Sequence, residues 1–416
     1  MINFESHRLA NGLKILVHPD NSTELAAVNL IYDVGSRDEN PERTGFAHLF
    51  EHLMFGGSAN IPDFDKPLQQ AGGENNAFTN NDITNYYITL PHQNVETAFW
   101  LESDRMLELD FSQKNLDTQK KVVIEEFNQS YFNQPYGDVW LLLRPLVYNQ
   151  HPYRWPTIGK EVAHIENAEL KSVKEFFNRF YTPNNAILTV AGKVDPDNIF
   201  KLAEKWFDDI PQSILSERQI IQEAPQKTPR KLEVHRPVPN DAIYVAFHMG
   251  KRCSSDFYQG DLISDILSNG NSSRLLRKLV KEEQKFTDVN AFITGDHDPG
   301  LFVVTGKPRP EVPIEEARDL LLHELNKLTK TIIGKEELNK VKNKVEANFS
   351  YGQTSILNKA MNLGLFTLLG DPNMVNTEVD KYRSIEAEEL MEFAQNTFTE
   401  NNSSILYYRS LNNGDK

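Results

Sequence analysis

Residues Thr44 to Gly57 read TGFAHLFEHLMFGG. The run predicts a short helix with Thr44 as its N-cap and the Gly56–Gly57 pair as its stop. Phe46, Ala47, Leu49, Phe50, Leu53, Met54 and Phe55 wrap its circumference, so the helix is expected to be buried on every side. Yet it carries three polar groups. His48 and His52 are four apart and share one face, with Glu51 beside them. Two imidazoles and a carboxylate in apolar surroundings are costly unless something pairs with them. One solution is a pair of hydrogen-bonded core histidines. The other is a divalent metal: two neutral imidazoles suit zinc, and the neighbouring carboxylate can hold a water. The pattern H-x-x-E-H is the inverted zinc-peptidase motif.

Composition narrows the class. A chain of 416 residues is too long for one simple core and suggests two or more domains. The formal charge of −15 argues against nucleic acid as a partner and would suit a basic peptide, although a solvated acidic surface is the commoner meaning. Cys253 is the one cysteine, which excludes an intramolecular disulfide and a cysteine-built zinc site. No apolar run reaches membrane-spanning length. The start, MINFESHRLANGLKILV, lacks a basic segment followed by an apolar core, so a cytoplasmic location is expected.

Along the chain, Leu13–Val17 and Ala27–Val34 read as strands and Phe64–Gly72 as a short helix. Asn76–Leu90 reads as a hairpin around a polar Asn-Asn-Asp turn. Two helices are predicted over His92–Leu107 and Leu116–Tyr131, the first with Val95, Phe99, Leu101, Met106 and Leu107 as core. Tyr148–Gly159 looks like a fixed loop, Ser172–Phe180 a helix, Ala186–Gly192 a buried strand and Pro196–Phe207 a helix. Pro211–Lys231 turns polar and loses periodicity. This places a linker over 216–231 between a domain at 1–215 and another at 232–416.

The second half repeats the first. IYVAFHMG at Ile243–Gly250 matches VNLIYDVG at Val28–Gly35, and each is followed by a helix, in the second half Asp261–Ser268. The offset that matches the two glycines sets Ile263, Ile266 and Leu267 opposite His48, Glu51 and His52. A duplication with one chemically equipped half accounts for this. Helices over Ile314–Thr331 and Lys335–Phe349 and a strand over Ser404–Arg409 complete the reading.

A catalytic zinc wants a third protein ligand. The helix Leu116–Tyr131 holds Glu125 and Glu126. Glu126 shares a face with Gln119, Val122 and Val123, while Glu125 lies about 100° round, and periodicity alone leaves the choice open.

Further motifs stand in order: NAFT at Asn76–Thr79, Thr84-Asn-Tyr86, VVIEEF at Val122–Phe127, QPYG at Gln134–Gly137, HPYRWPTIG at His151–Gly159 and SSRLLRKLV at Ser272–Val280. With HLFEH, they resemble the M16 family of metallopeptidases, the group of pitrilysin, insulin-degrading enzyme and the mitochondrial processing peptidases. The resemblance covers essentially the whole chain. It implies an α+β fold of two homologous halves, each an antiparallel sheet packed with helices. It implies one Zn2+ per chain, with His48, His52 and Glu126 as ligands and Glu51 as general base. It places Asn76 and Ala77 on a strand edge that pairs with an extended peptide substrate.

Two departures stand out. The family often has a glutamate where this chain has Gln119, so the surroundings of the metal differ in charge. Active members also carry an arginine and a tyrosine after the serine-arginine-leucine motif. Those positions hold Val280 and Thr287 here, which cannot grip a substrate carbonyl in the same way. The resemblance then implies an endopeptidase subunit whose active form is a heterodimer with an M16-like partner carrying arginine and tyrosine. A homodimer in isolation, a self-sufficient homodimeric peptidase and a non-catalytic assembly subunit are the competing readings.

Overall fold

The computed structural model of the chain describes residues 1–214 and 218–411. Strands β1 (Glu5–Arg8), β2 (Lys14–Pro19) and β3 (Leu25–Tyr32) come first. Helices α1 (Phe46–Leu53) and α2 (Asp65–Gln70) lead into the hairpin β4 (Glu74–Thr79) and β5 (Thr84–Pro91). Next are α3 (Val95–Leu107) and α4 (Gln113–Phe127), which runs on into a wide π-type turn at Asn128–Phe132. Then come α5 (Val139–Val147), α6 (Val162–Glu166), α7 (Leu170–Phe180), β6 (Ala186–Gly192) and α8 (Pro196–Phe207). The rest comprises β7 (Arg230–Arg236), β8 (Ala242–His248), α9 (Ser255–Ser268), β9 (Phe286–Ile293) and β10 (Leu301–Pro308). It ends with α10 (Ile314–Leu328), α11 (Lys335–Gly352), α12 (Ile356–Leu368), α13 (Met374–Ser384), α14 (Ala387–Thr397) and β11 (Ser403–Ser410). Among the described residues no helix is long and apolar enough to cross a membrane.

Two compact units result. One comprises Met1–Gln129, Trp155–Ile220 and Ser350–Thr377; the other Ser130–Arg154, Ile221–Phe349 and Glu378–Lys416. The junction expected between 215 and 216 lies outside the described residues, and the units exchange two segments across the expected linker at 216–231. The physical cause is packing. Helix α12, late in the chain, lies on β3 and β6 of the first unit, where Thr189 Oγ1 donates to the Ala360 carbonyl at 2.9 Å. A Cβ on Gly364 would stand 3.2 Å from Asn29 Nδ2, so a bare backbone permits that approach. Helix α5, early in the chain, buries Val139, Leu143 and Val147 against the second sheet with Ala246, Val303 and Leu406.

The first sheet runs β1-β2-β6-β3-β5-β4 and the second β7-β11-β8-β10-β9. The second order repeats the first from β2 onward. Each sheet is antiparallel apart from one parallel pair, β2 with β6 and β11 with β7, at the same place in the order. Tyr32 faces the first residue of β6, Ala186, and Phe247 faces the first residue of β11, Ser403. The α+β architecture of two homologous halves is thus visible in the strand order itself.

Some local expectations give way. Thr44 is not at the cap position of α1: Gly45 occupies it, at φ +88, where an added Cβ would lie 2.5 Å from the Ile158 carbonyl oxygen. The Thr44 hydroxyl instead pairs with His164 Nδ1 at 2.8 Å and accepts the Lys160 N–H at 2.9 Å. Helix α1 closes at Leu53, ahead of the Gly56–Gly57 pair. Leu107, placed in the core by periodicity, is 49% exposed, because α3 ends there and the chain turns away.

Helix α12 is anchored at one end by an ion pair. Lys359 Nζ lies 2.5 Å from Asp20 Oδ2, and both side chains are largely covered. The ammonium, together with the Ser22 hydroxyl and N–H, holds the Asp20 carboxyl well below the usual carboxylate range. A depressed carboxyl stabilises the fold fully above its unfolded value and loses that contribution as pH falls through the folded one. Asp20→Asn should therefore cost about 1–2 kcal/mol at neutral pH. Denaturant unfolding of both proteins across acid pH should show the difference shrinking below roughly pH 4. A constant difference down to pH 2 would contradict the pairing.

Candidate metal centre

An eight-residue helix needs tertiary support, and α1 receives it along its apolar side. Phe46, Ala47, Leu49, Phe50 and Leu53 are buried. The Phe50 ring stacks on Phe176, Phe177 and Tyr181 at centroid distances of 5.3, 6.3 and 5.0 Å. The expectation of burial on every side is corrected here: His48, Glu51 and His52 form a half-buried stripe.

Helix α4 brings a carboxylate to that stripe. Glu126 Oε1 lies 3.7 Å from His48 Nε2, and Oε2 lies 3.3 Å from His52 Nε2. One donor atom from each of the three residues fits within a span of 4.8 Å. Zinc–nitrogen and zinc–oxygen bonds of about 2.1 Å set donors in a tetrahedron roughly 3.4 Å apart, so this donor set suits zinc. Burial pushes the His48 imidazole down to about 4, against the pull of Glu126, which leaves it neutral with a lone pair to give. The contact with His52 holds the Glu126 carboxyl below its ordinary range, so it is an anion. Glu125 points elsewhere: it is exposed and accepts a hydrogen bond from Gln129 Nε2 at 3.1 Å.

Glu51 sits beside these donors. Its Oε2 accepts the Thr79 hydroxyl at 2.6 Å, which leaves Oε1 for another partner. Burial raises the Glu51 carboxyl, and the Thr79 hydrogen bond opposes the rise. Thr79 belongs to β4, the outermost strand of its sheet, which pairs on one side with β5. Asn76 and Ala77 lie on the same strand, and Asn76 Oδ1 accepts the Ala77 N–H at 2.8 Å. That N–H therefore does not serve the β4–β5 ladder; the asparagine side chain occupies it. Gln119 is half-buried on α4, two turns before Glu126 and on the same face.

In the second unit, Ile263, Ile266 and Leu267 are fully buried and carry no donor. Val280 packs against the apolar core of that unit. Thr287 is exposed on β9, and its hydroxyl donates to the Lys307 carbonyl at 3.1 Å. Neither offers a cation or a phenol.

Thr79, the last residue of NAFT, carries no role in the sequence reading; strand alternation puts it on one face with Ala77. Glu39 was not singled out. It is 6% exposed and accepts the Gly45 and Ala47 N–H groups, both at 2.9 Å. The available signal was an acidic pair, Asp38-Glu39, shortly before a helix start.

Two family models match the chain: "Insulinase (Peptidase family M16)" over residues 14–141 and "Peptidase M16 inactive domain" over residues 167–345. The chain belongs to the M16 peptidase family. A relative from Helicobacter pylori named zinc protease PqqE is 28% identical over 413 residues, covering 97% of this chain and 92% of its own length. The crystal structure of a protease from Helicobacter pylori superimposes with a TM-score of 0.92 at 27% identity, covering 98% of this chain and all of the other. The mitochondrial-processing peptidase subunit beta of Saccharomyces cerevisiae is 26% identical over 209 residues, 50% of this chain and 45% of its own.

The donor geometry leads to a direct test. Glu126→Gln should lower the zinc content of the purified chain, because an amide oxygen carries no charge to the metal, and Glu125→Gln should leave it unchanged. Metal analysis after dialysis decides, and loss in the Glu125 variant alone would reverse the assignment.

Proposed function

We propose that this chain is a zinc-dependent endopeptidase subunit that cleaves extended peptides or unfolded segments. The observation that carries the reading is the meeting of His48, His52 and Glu126 beside a glutamate held by Thr79. His48 Nε2, His52 Nε2 and one Glu126 oxygen would hold one Zn2+ per chain. When bound, zinc acidifies a water and polarises a scissile carbonyl. Glu51 takes the proton of the attacking water on Oε1, the oxygen that Thr79 leaves free, and passes it to the departing amine. Thr79 keeps the carboxylate from swinging away between the two transfers. The substrate strand adds to the open edge of β4, and its backbone displaces the Asn76 side chain from the Ala77 N–H. The names of the relatives, zinc protease and processing peptidase subunit, support the same chemistry.

Val280 and Thr287 supply neither a cation nor a phenol at these two positions to steady the negative charge that develops on a carbonyl. We therefore propose that the active form is a heterodimer with a second M16-like chain that supplies arginine and tyrosine. The isolated chain, as a monomer or homodimer, is then zinc-loaded and nearly inert.

Glu51→Gln should retain zinc and reduce cleavage of an unstructured peptide by about 10²–10⁴ in the active assembly. A near wild-type rate would refute the role of Glu51. For the partner, the homogeneous chain should hydrolyse the peptide at background rate only. Steady turnover by that chain alone, abolished by a chelator and by Glu51→Gln, would show that no partner is needed.

A further inference from the structure

Both oxygens of Glu39 are spent on groups around the start of α1. Oε1 accepts the Ala47 N–H at 2.9 Å. Oε2 accepts the Gly45 N–H at 2.9 Å and the Trp155 indole N–H at 3.1 Å. These backbone donors belong to the first turn, where a helix has no intrahelical acceptors and where its dipole favours an anion. No side chain at the cap position does this work, since Gly45 has none. The indole of Trp155, 1% exposed, also donates to the Ser36 carbonyl at 3.0 Å, so it fixes Glu39 and the turn before it together.

That turn is in turn fastened to the β4–β5 hairpin. The Ser36 and Arg37 N–H groups donate to the Asn80 and Asn81 carbonyls at 3.2 and 2.9 Å. The approach is close enough that a Cβ on Gly35 would lie 2.4 Å from the Asn81 backbone. Asn80 directly follows Thr79, the residue that holds Glu51. The opposite side of the helix start is closed by the loop after Trp155, where a Cβ on Gly159 would meet the Thr44 carbonyl oxygen at 3.0 Å.

A continuous path of hydrogen bonds thus runs from the hairpin turn, through Ser36 and Trp155, to Glu39 and the first turn of α1. We infer that Glu39, seated by Trp155, is a positioning residue that sets the register of the His48–Glu51–His52 helix against the edge strand β4. The inference rests on the reading of His48, His52 and Glu126 as metal ligands. An eight-residue helix with a slack first turn would let His48, only three residues from Gly45, drift relative to Glu126 on another helix. The metal would then be held less tightly, without loss of any ligand.

The test compares Glu39→Gln, Trp155→Phe and the double variant of the full chain. Glutamine keeps the shape but turns an NH2 toward one of the three N–H donors, so one bond is lost and one repulsion made. Trp155→Phe keeps an aromatic ring and removes the indole donor. Zinc affinity by chelator competition, and the visible spectrum of the cobalt-substituted protein, are the readouts. Glu39→Gln should weaken zinc about tenfold or more and shift the cobalt bands, as loss of supporting hydrogen bonds around metal ligands commonly does. Trp155→Phe should weaken it about threefold, the scale of one hydrogen bond. The double variant should be no worse than Glu39→Gln, because the indole acts through the carboxylate. Glu378→Gln, which breaks an equally buried ion pair with Arg252 in the other unit, controls for general destabilisation and should leave affinity and spectrum unchanged. Wild-type affinity and spectrum in Glu39→Gln would overturn the inference. If that variant does not fold, Trp155→Phe decides alone, and wild-type affinity there overturns it. A wild-type chain that binds neither zinc nor cobalt would remove the metal reading itself, and the inference with it.

Discussion

Eight residues make barely two turns, too few to persist as a helix without outside support. The meeting of His48 and His52 with Glu126 depends on α1 being held nevertheless. Apolar stacking of Phe50 on Phe176, Phe177 and Tyr181 holds it laterally. Glu39 holds its first turn along the axis. The half-buried stripe of His48, Glu51 and His52 is then balanced by partners on other elements, Glu126 and Thr79. Burial without those partners would leave polar groups desolvated and unpaired.

The duplicated unit shows what the same scaffold does when no chemistry is asked of it. Its strand order repeats that of the first sheet. Its helix α9 carries Ile263, Ile266 and Leu267 at the matched positions, and all are fully buried. Apolar side chains can be covered completely, and at these three positions they are. The equipped helix keeps one side open because its imidazoles and carboxylate need a ligand or solvent there. Exposure at these three positions, more than fold, separates the two halves.

The exchange of segments between the units follows from sheet packing. A sheet buries both faces only if helices cover both. For the first sheet one cover is α12, which sits against Thr189 and Asn29 of β6 and β3. For the second, α5 supplies apolar residues from before the linker region. Each sheet therefore draws a covering helix from the far side of the chain. A single cut between contiguous halves would strip both sheets of a cover.

Much of this was legible without coordinates. The buried strand β6, the β4–β5 hairpin and the amphipathic helices α7 and α8 announce themselves by period and turn residues. The strands β7, β9 and β10 are not legible in this way; β7 alternates exposed and half-buried residues and begins at Arg230, inside the polar Pro211–Lys231 stretch that reads as a linker. Within the site, the sequence by itself determined that His48, Glu51 and His52 share a stripe, because 3.6 residues per turn leaves no alternative once a helix forms. Periodicity did not determine which of Glu125 and Glu126 joins them, since a register of one residue on a separate helix is decided by how that helix packs; the choice of Glu126 came from the family resemblance alone. The sequence placed the cap on Thr44 by local preference, yet the fold spends that hydroxyl on His164 and Lys160 and caps the helix with Glu39. Spacing along one element is a property of covalent geometry and can be read from residues in order. The meeting of Glu126, Thr79, Glu39 and Trp155 around one short helix joins positions far apart in the chain, and only the packing of the whole unit brings them within hydrogen-bonding distance.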